Sequence, residues 1–178
     1  MKKLDIGCGI SKRKGFIGVD KIALPGVDIV HDLDVFPYPF DDDEVTFIWM
    51  NHVLEHLMYP VKTIEEIYRI CKIGARVVIT TPYFRSYLAT VDPTHKSFFG
   101  LGWFNYFDPE HEFFKKYQYS IARFKIEKIE LDRDVEINRR GILQPMFLKI
   151  AKNHPGFYEE KLSHLYPFQT ITYCLRKV

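Results

Sequence analysis

The first residues whose types and spacing could do chemistry are Asp5-Ile6-Gly7-Cys8-Gly9, followed by Asp20. Two glycines one residue apart leave free backbone amides and no Cβ in the way of a molecule lying across the turn. A carboxylate after the next apolar run can accept hydrogen bonds from both hydroxyls of a ribose. Together they read as a nucleoside site, where either alone would be an ordinary turn or a surface acid. A dinucleotide fits poorly. Its third glycine is replaced by Lys12, and the stretch from Gly9 to Phe16 is too short for the helix whose N-terminus would hold a pyrophosphate.

Three further groups carry histidine. His52-Val53-Leu54-Glu55-His56 fits the H-x-x-E-H pattern in which two histidines one helical turn apart bind zinc and the glutamate is a base. That chemistry needs a rigid helix, yet Met50 still belongs to a strand and Pro60 follows closely. No residue is therefore assigned to a metal, and Glu55 is expected at solvent or as a cap. Asp92-Pro93-Thr94-His95 and Asp108-Pro109-Glu110-His111 each set an acid three residues before a histidine. Either His95 or His111 could act as a general base near neutral pH, and each Asp-Pro could equally begin a turn. Cys8, inside the glycine turn, reads as a small packing residue. Cys8, Cys71 and Cys174 lack paired spacing, which suits a reducing, cytoplasmic setting and argues against a disulfide framework or a zinc cluster.

These residues must be positioned by short apolar segments ending in Gly, Asp, Asn or Pro. Strands are predicted over 3–6, 15–19, 28–31, 45–50 and 76–80, their near-continuous apolar runs suggesting cover on both faces. Between the fourth and fifth, Val61, Ile64, Ile67, Tyr68 and Cys71 recur at helical spacing, with Pro60 near the start and Gly74 as the stop. Strand, helix, strand in that order implies parallel pairing by a right-handed crossover. Near the end, 124–132 and 170–178 alternate as strands, the former after a shift, with two short helices between. The last strand has no crossover helix before it and is expected to run antiparallel.

From Tyr83 to Tyr119 the periodicity dissolves and the aromatics concentrate. This stretch is expected to be a substrate wall or lid, with Tyr83, Phe84, Phe98, Phe99, Trp103, Phe104 and Tyr106 shaping an acceptor pocket. At 178 residues, 47% hydrophobic and 27% charged, residues 1–178 read as one globular domain. A net charge of +2 gives no general attraction to nucleic acid; the basic runs Lys12-Arg13-Lys14 and Arg139-Arg140 are short and read as solvated loops. No apolar run approaches the roughly 20 residues that span a bilayer.

The stretch Leu4 to Asp20 resembles motif I of the class I S-adenosylmethionine-dependent methyltransferases, in a type 11-like variant with a shortened first helix. In that family the acid-x-Gly-x-Gly turn lies beneath the methionine part of the cofactor, and the acid after the second strand takes the ribose. The resemblance continues through His31-Asp32-Leu33-Asp34, where the family contacts adenine, through Asn51 to Leu57 after the fourth strand, and through Gly74 to Pro82 as the fifth. It implies S-adenosyl-L-methionine as cofactor, with Asp5, Gly7, Cys8, Gly9, Asp20, Lys21, Asp32, Leu33, Asn51 and His52 in contact. It implies an α/β, Rossmann-like, mostly parallel sheet of about seven strands with an antiparallel last strand. Lys12 or Arg13 would take over from the missing helix at the cofactor's carboxylate. The acceptor is expected to be a small molecule or glycan. The shortened turn keeps a second reading open, a catalytically silent cofactor-binding or partner subunit.

Overall fold

In the computed structural model the described residues are 2–132 and 143–178, so Arg139 and Arg140 lie outside them. Seven strands form one sheet: β1 (Lys2–Ile6), β2 (Ile17–Asp20), β3 (Ile29–Val30), β4 (Val45–Asn51), β5 (Cys71–Pro82), β6 (Phe124–Leu131) and β7 (Thr170–Lys177). Their order is β3-β2-β1-β4-β5-β7-β6. The pairings among β1 to β5 are parallel, and β7 runs antiparallel to both β5 and β6. The chain builds outward from β1 to β3 and then returns to lay β4 on the other side of β1. Loops leaving β1 and β4 therefore diverge, and that switch point is where an open α/β sheet makes its crevice.

Side-chain alternation divides the sheet into two unlike faces. Leu4, Ile48, Met50, Val77 and Ile79 are wholly buried on one face, neighbours in register across β1, β4 and β5. α1 (Pro60–Ile70) adds Ile64, Ile67 and Ile70 to that core, and Tyr68 meets Phe124 edge to face at 5.6 Å. On the opposite face the same register sets Lys3, Phe47 and Arg76 in line, with Lys3 and Arg76 exposed. The expectation of cover on both faces is thus corrected in part: among the described residues this second face is open at Lys3, Phe47 and Arg76, while Asp5, Val78 and Thr80 further along it are buried. The reason is the missing first helix. In its place Phe16, from the loop that replaces it, packs on Phe47 at 5.3 Å.

α1 stops at Ile70, short of Gly74, because Cys71 already pairs with Val45 as the first residue of β5. β6 carries a register shift between Ile126 and Lys128, where its alternation changes phase. After β5 come α2 (Tyr87–Val91), a turn of 3₁₀ helix at Trp103–Tyr106 and α3 (Glu112–Tyr117), so the aromatic segment holds more regular structure than its sequence suggests. Tyr83, Phe99 and Phe104 are fully buried in the main core, Phe84, Trp103 and Tyr106 are half-buried against it, and Phe98 is exposed. α4 (Gln144–Asn153) and the short α5 (Pro155–Phe157) lead into β7. Among the described residues no helix is long and apolar enough to cross a membrane.

Candidate functional site

The turn after β1 is shaped by two left-handed glycines, Gly7 at φ 70° and Gly9 at φ 51°. They do different work. A Cβ on Gly7 would stand 2.2 Å from Val53 Cγ2, so this glycine is bare because the protein's own chain packs there. A Cβ on Gly9 would meet nothing within 4 Å, and that side of the turn is open.

From Cys8 the loop is held down by side chains in place of a helix. Asp5 Oδ2 accepts from the Arg13 amide at 2.7 Å, and Asp20 Oδ2 accepts from the Gly9 amide at 2.9 Å. Asp28 takes the Lys12 ammonium on both oxygens, at 2.8 and 2.9 Å, and also the Gly18 amide at 2.7 Å. Lys12 is therefore committed to the loop itself. The Arg13 guanidinium instead lies 3.8 Å over the Trp49 ring.

Beside this loop, at the carboxyl ends of β1 and β4, is a cavity of about 320 Å³ lined by Asp5, Gly7, Cys8, Ser11, Arg13, Trp49, Asn51 and His52. Asp5, Gly7, Cys8, Asn51 and His52 thus line one cavity. Gly9 and Asp20 are not in the lining; they are tied to each other by the Gly9 amide, next to Cys8. Lys21, Asp32 and Leu33 lie outside the lining: Asp32 caps its own turn through the Asp34 amide, and the buried Leu33 offers its carbonyl to the Tyr38 hydroxyl. Ser11 and Trp49 were not anticipated. Trp49 was legible all the same, two residues before Asn51 on one strand and so on the same face.

The electrostatics of the cavity are mixed. Burial raises the Asp5 carboxyl above its ordinary range, opposed by the Arg13 amide and the charges of Arg13 and Lys12. Burial also raises the Cys8 thiol, reinforced by Asp5 and Asp20, which makes Cys8 a poor nucleophile and agrees with a packing role.

His52 stands at φ 53° directly after β4, and only one turn of 3₁₀ helix, Leu54–His56, follows it. His52 and His56 therefore share no helix, and the peptidase geometry that H-x-x-E-H would require does not form. His52 Nδ1 lies 3.2 Å from Glu55 Oε1, and Glu55 is buried, contrary to the expectation of a solvent-facing acid. His95 is joined to this group, its ring 4.7 Å from that of His56. His111 is elsewhere, its Nδ1 accepting from the Phe113 amide at 3.1 Å as the N-cap of α3.

A cofactor without phosphate suits this corner. It offers an open side at Gly9, the Arg13 guanidinium and the Asp5 carboxylate, and no long helix begins at the turn. The expectation of free amides at the turn is corrected: those of Gly7 and Cys8 donate to the Val19 carbonyl and that of Gly9 to Asp20. Comparisons with known proteins agree. Residues 8–79 match the family described as a methyltransferase domain. No curated protein matches by sequence. Among solved structures, an S-adenosylmethionine-dependent methyltransferase from Archaeoglobus fulgidus aligns with TM-score 0.60 at 21% identity, over 99% of this chain and 86% of that one. The [4+2]-cyclase SpnF aligns with TM-score 0.57 at 18% identity, over 99% and 74%. An S-adenosylmethionine-dependent methyltransferase from Mesorhizobium loti aligns with TM-score 0.55 at 14% identity, over 99% and 90%. With the strand order and the switch-point crevice, these matches show that the chain has the fold of the S-adenosylmethionine-dependent methyltransferases, with the methyltransferase-domain match confined to residues 8–79.

Proposed function

We propose that this protein transfers a methyl group from S-adenosyl-L-methionine to a small-molecule or glycan-type acceptor in a reducing, cytoplasmic setting. The cavity beside the β1 turn and the end of β4 carries the reading, because it sets the Arg13 guanidinium and the Asp5 carboxylate at the switch point of the sheet, next to the open side of Gly9. When bound, the cofactor supplies an electrophilic methyl on a sulfonium, which an acceptor lone pair displaces in line. The residues' task is alignment, and proximity can supply most of the barrier reduction.

Asp20 would take the ribose, since each of its oxygens keeps a lone pair beyond its bonds to the Gly9 and Ile22 amides. Arg13 would hold the cofactor's carboxylate, while Asp5, Gly7, Cys8, Asn51 and His52 shape the bed and Lys21, Asp32 and Leu33 flank the adenine. Of the two candidate bases His95 is favoured. Its Nδ1 faces the Ala89 carbonyl at 3.0 Å and must donate, which leaves the Nε2 lone pair available. In His111 the Nδ1 lone pair is spent on the Phe113 amide. The aromatic segment 83–119 would border the acceptor through its half-buried rings.

Calorimetric titration with S-adenosyl-L-methionine tests the site. Asp20→Ala should weaken binding roughly tenfold to hundredfold, the worth of hydrogen bonds to a charged group. Unchanged affinity would reject Asp20 as the ribose contact. Incubation with methyl-labelled cofactor and pools of small molecules and glycans then tests transfer. SpnF shows that this fold can belong to a cyclase, so tight cofactor binding with no label transferred to any pool would favour the silent-subunit reading.

A further inference from the structure

Glu55 is a buried acid, 1% exposed, on the turn that follows the cofactor cavity. Its Oε1 faces His52, but its Oε2 is buried without a hydrogen-bond partner. An unpaired buried carboxylate oxygen is unfavourable unless something electropositive comes to it. The nearest candidates to share such a ligand are two imidazoles. Ligand atoms of Glu55, His56 and His95 all lie within 4.8 Å of one another.

Both rings are already set for ligation by their outward nitrogens. His95 Nδ1 lies 3.0 Å from the Ala89 carbonyl, which can only accept. His56 Nδ1 lies 2.8 Å from Thr94 Oγ1, whose own proton goes to Asp92 Oδ1 at 2.7 Å, so the hydroxyl can only accept from His56 as well. Each ring thus carries its proton on Nδ1 and leaves Nε2 with a bare lone pair. Fixing a histidine's tautomer through its other nitrogen is how proteins orient imidazole ligands. The backbone is pre-arranged too: the amides of Lys96 and Ser97 both donate to the Glu55 carbonyl, at 2.8 and 3.3 Å, and lace the loop bearing His95 to the turn bearing Glu55 and His56.

We propose that Glu55, His56 and His95 form a site for a first-row divalent transition metal, with at least one coordination position left for another ligand. Two imidazole nitrogens and one carboxylate oxygen form the donor set of catalytic zinc and of non-haem iron sites. Metal–ligand distances near 2 Å require the three atoms to draw closer together on binding. This set differs from the H-x-x-E-H reading, because His95 comes from the aromatic segment and His52 serves as the outer partner of Glu55. A metal here takes the His95 Nε2 lone pair, so ligation replaces any role of that nitrogen as proton acceptor. His52 then connects the metal to the cofactor cavity, which it lines.

The test uses chelator-treated protein without cofactor, so its outcome does not depend on the cofactor assignment. Zn²⁺ is titrated calorimetrically into wild type, Glu55→Gln, His56→Ala, His95→Ala and His164→Ala, the last an exposed control. Co²⁺ replaces Zn²⁺ in a second series read by its visible absorption. One equivalent should bind wild type and the control, with affinity at least 100-fold lower in His56→Ala and His95→Ala and the Co²⁺ bands lost. Thr94→Ala, which frees the His56 tautomer, should weaken binding 10- to 100-fold. Should Glu55→Gln fail to fold, the two histidine variants decide the matter. No stoichiometric binding, or binding that survives His95→Ala, overturns the proposal.

Discussion

At the scale of single residues, Gly7 and Gly9 look identical in the sequence and are separable in the structure. Alanine at either position is strained by its positive φ, at roughly 1–2 kcal/mol. Gly7→Ala also drives a methyl into Val53 and should lower the urea midpoint well beyond Gly9→Ala, with Gly7→Ala/Val53→Ala recovering part of the loss. Gly9→Ala should carry that strain alone, since its methyl projects into open space, and should bind cofactor more weakly if that space is where the cofactor lies. Equal stability for the two single variants would show that Val53 does not press on Gly7. Asp5 gives a pH test. Burial raises its folded pKa, so its stabilising contribution is full below about pH 4, where the unfolded side chain titrates, and is lost as pH rises through the folded value. Asp5→Asn keeps an acceptor for the Arg13 amide but does not ionise. Its urea midpoint should rise relative to wild type between pH 4 and pH 7; a relative fall would mean that the native site favours the charged carboxylate.

Elements show what the loop of 7–16 does in place of a helix, and how legible that was. The absence of a helix was plain from the spacing of Gly9 and Phe16, and the parallel β4-α1-β5 unit was plain from the periodicity of Val61, Ile64, Ile67, Tyr68 and Cys71, although Val61 proves exposed and Cys71 already belongs to β5. Which cation would face the cavity was not legible: Lys12 and Arg13 are adjacent, and only Asp28, brought alongside by β2–β3 pairing, decides that Lys12 is taken. The placement of His95 beside His56 was equally hidden, because it depends on backbone bonds between a turn and a loop far apart in the chain. For the aromatic residues the sequence shows their number but not which of them face the core, as Tyr83, Phe99 and Phe104 do. The acidic stretch 31–34 shows a structural use as well. Tyr59, the N-cap of α1, caps nothing with its side chain, and Asp34 Oδ1 instead accepts from the amides of Met58 and Tyr59 at 2.9 and 3.4 Å. Asp34→Ala should therefore cost about 1 kcal/mol in urea unfolding, as loss of a helix cap does. Asp34→Asn should recover most of it.

For the whole molecule, the backbone pairing of β1 with β4 joins two parts of unequal strength. On one side β5, β7 and β6 pair over long strands, with Ile171, Tyr173 and Leu175 of β7 buried between two neighbours. On the other, β2 and β3 are short, β2 burying only Gly18 and Val19 and β3 neither of its residues. The cavity draws its walls from both parts: Asp5 to Arg13 come from the β1 turn, and Trp49, Asn51 and His52 from the end of β4. A ligand held there must therefore clamp the weaker part onto the stronger. At a cofactor concentration 100 times its Kd the gain is about 2.7 kcal/mol, worth roughly 5–11 °C in Tm for a domain of this size. The clamp makes a sharper demand than the shift itself. Hydrogen exchange should slow most at the amides of β1, β2 and the Gly9 turn, and least at β5 and β7, the long paired strands away from the cavity. A Tm increase with exchange slowed uniformly across the sheet would mean that the ligand binds somewhere other than the junction of β1 and β4.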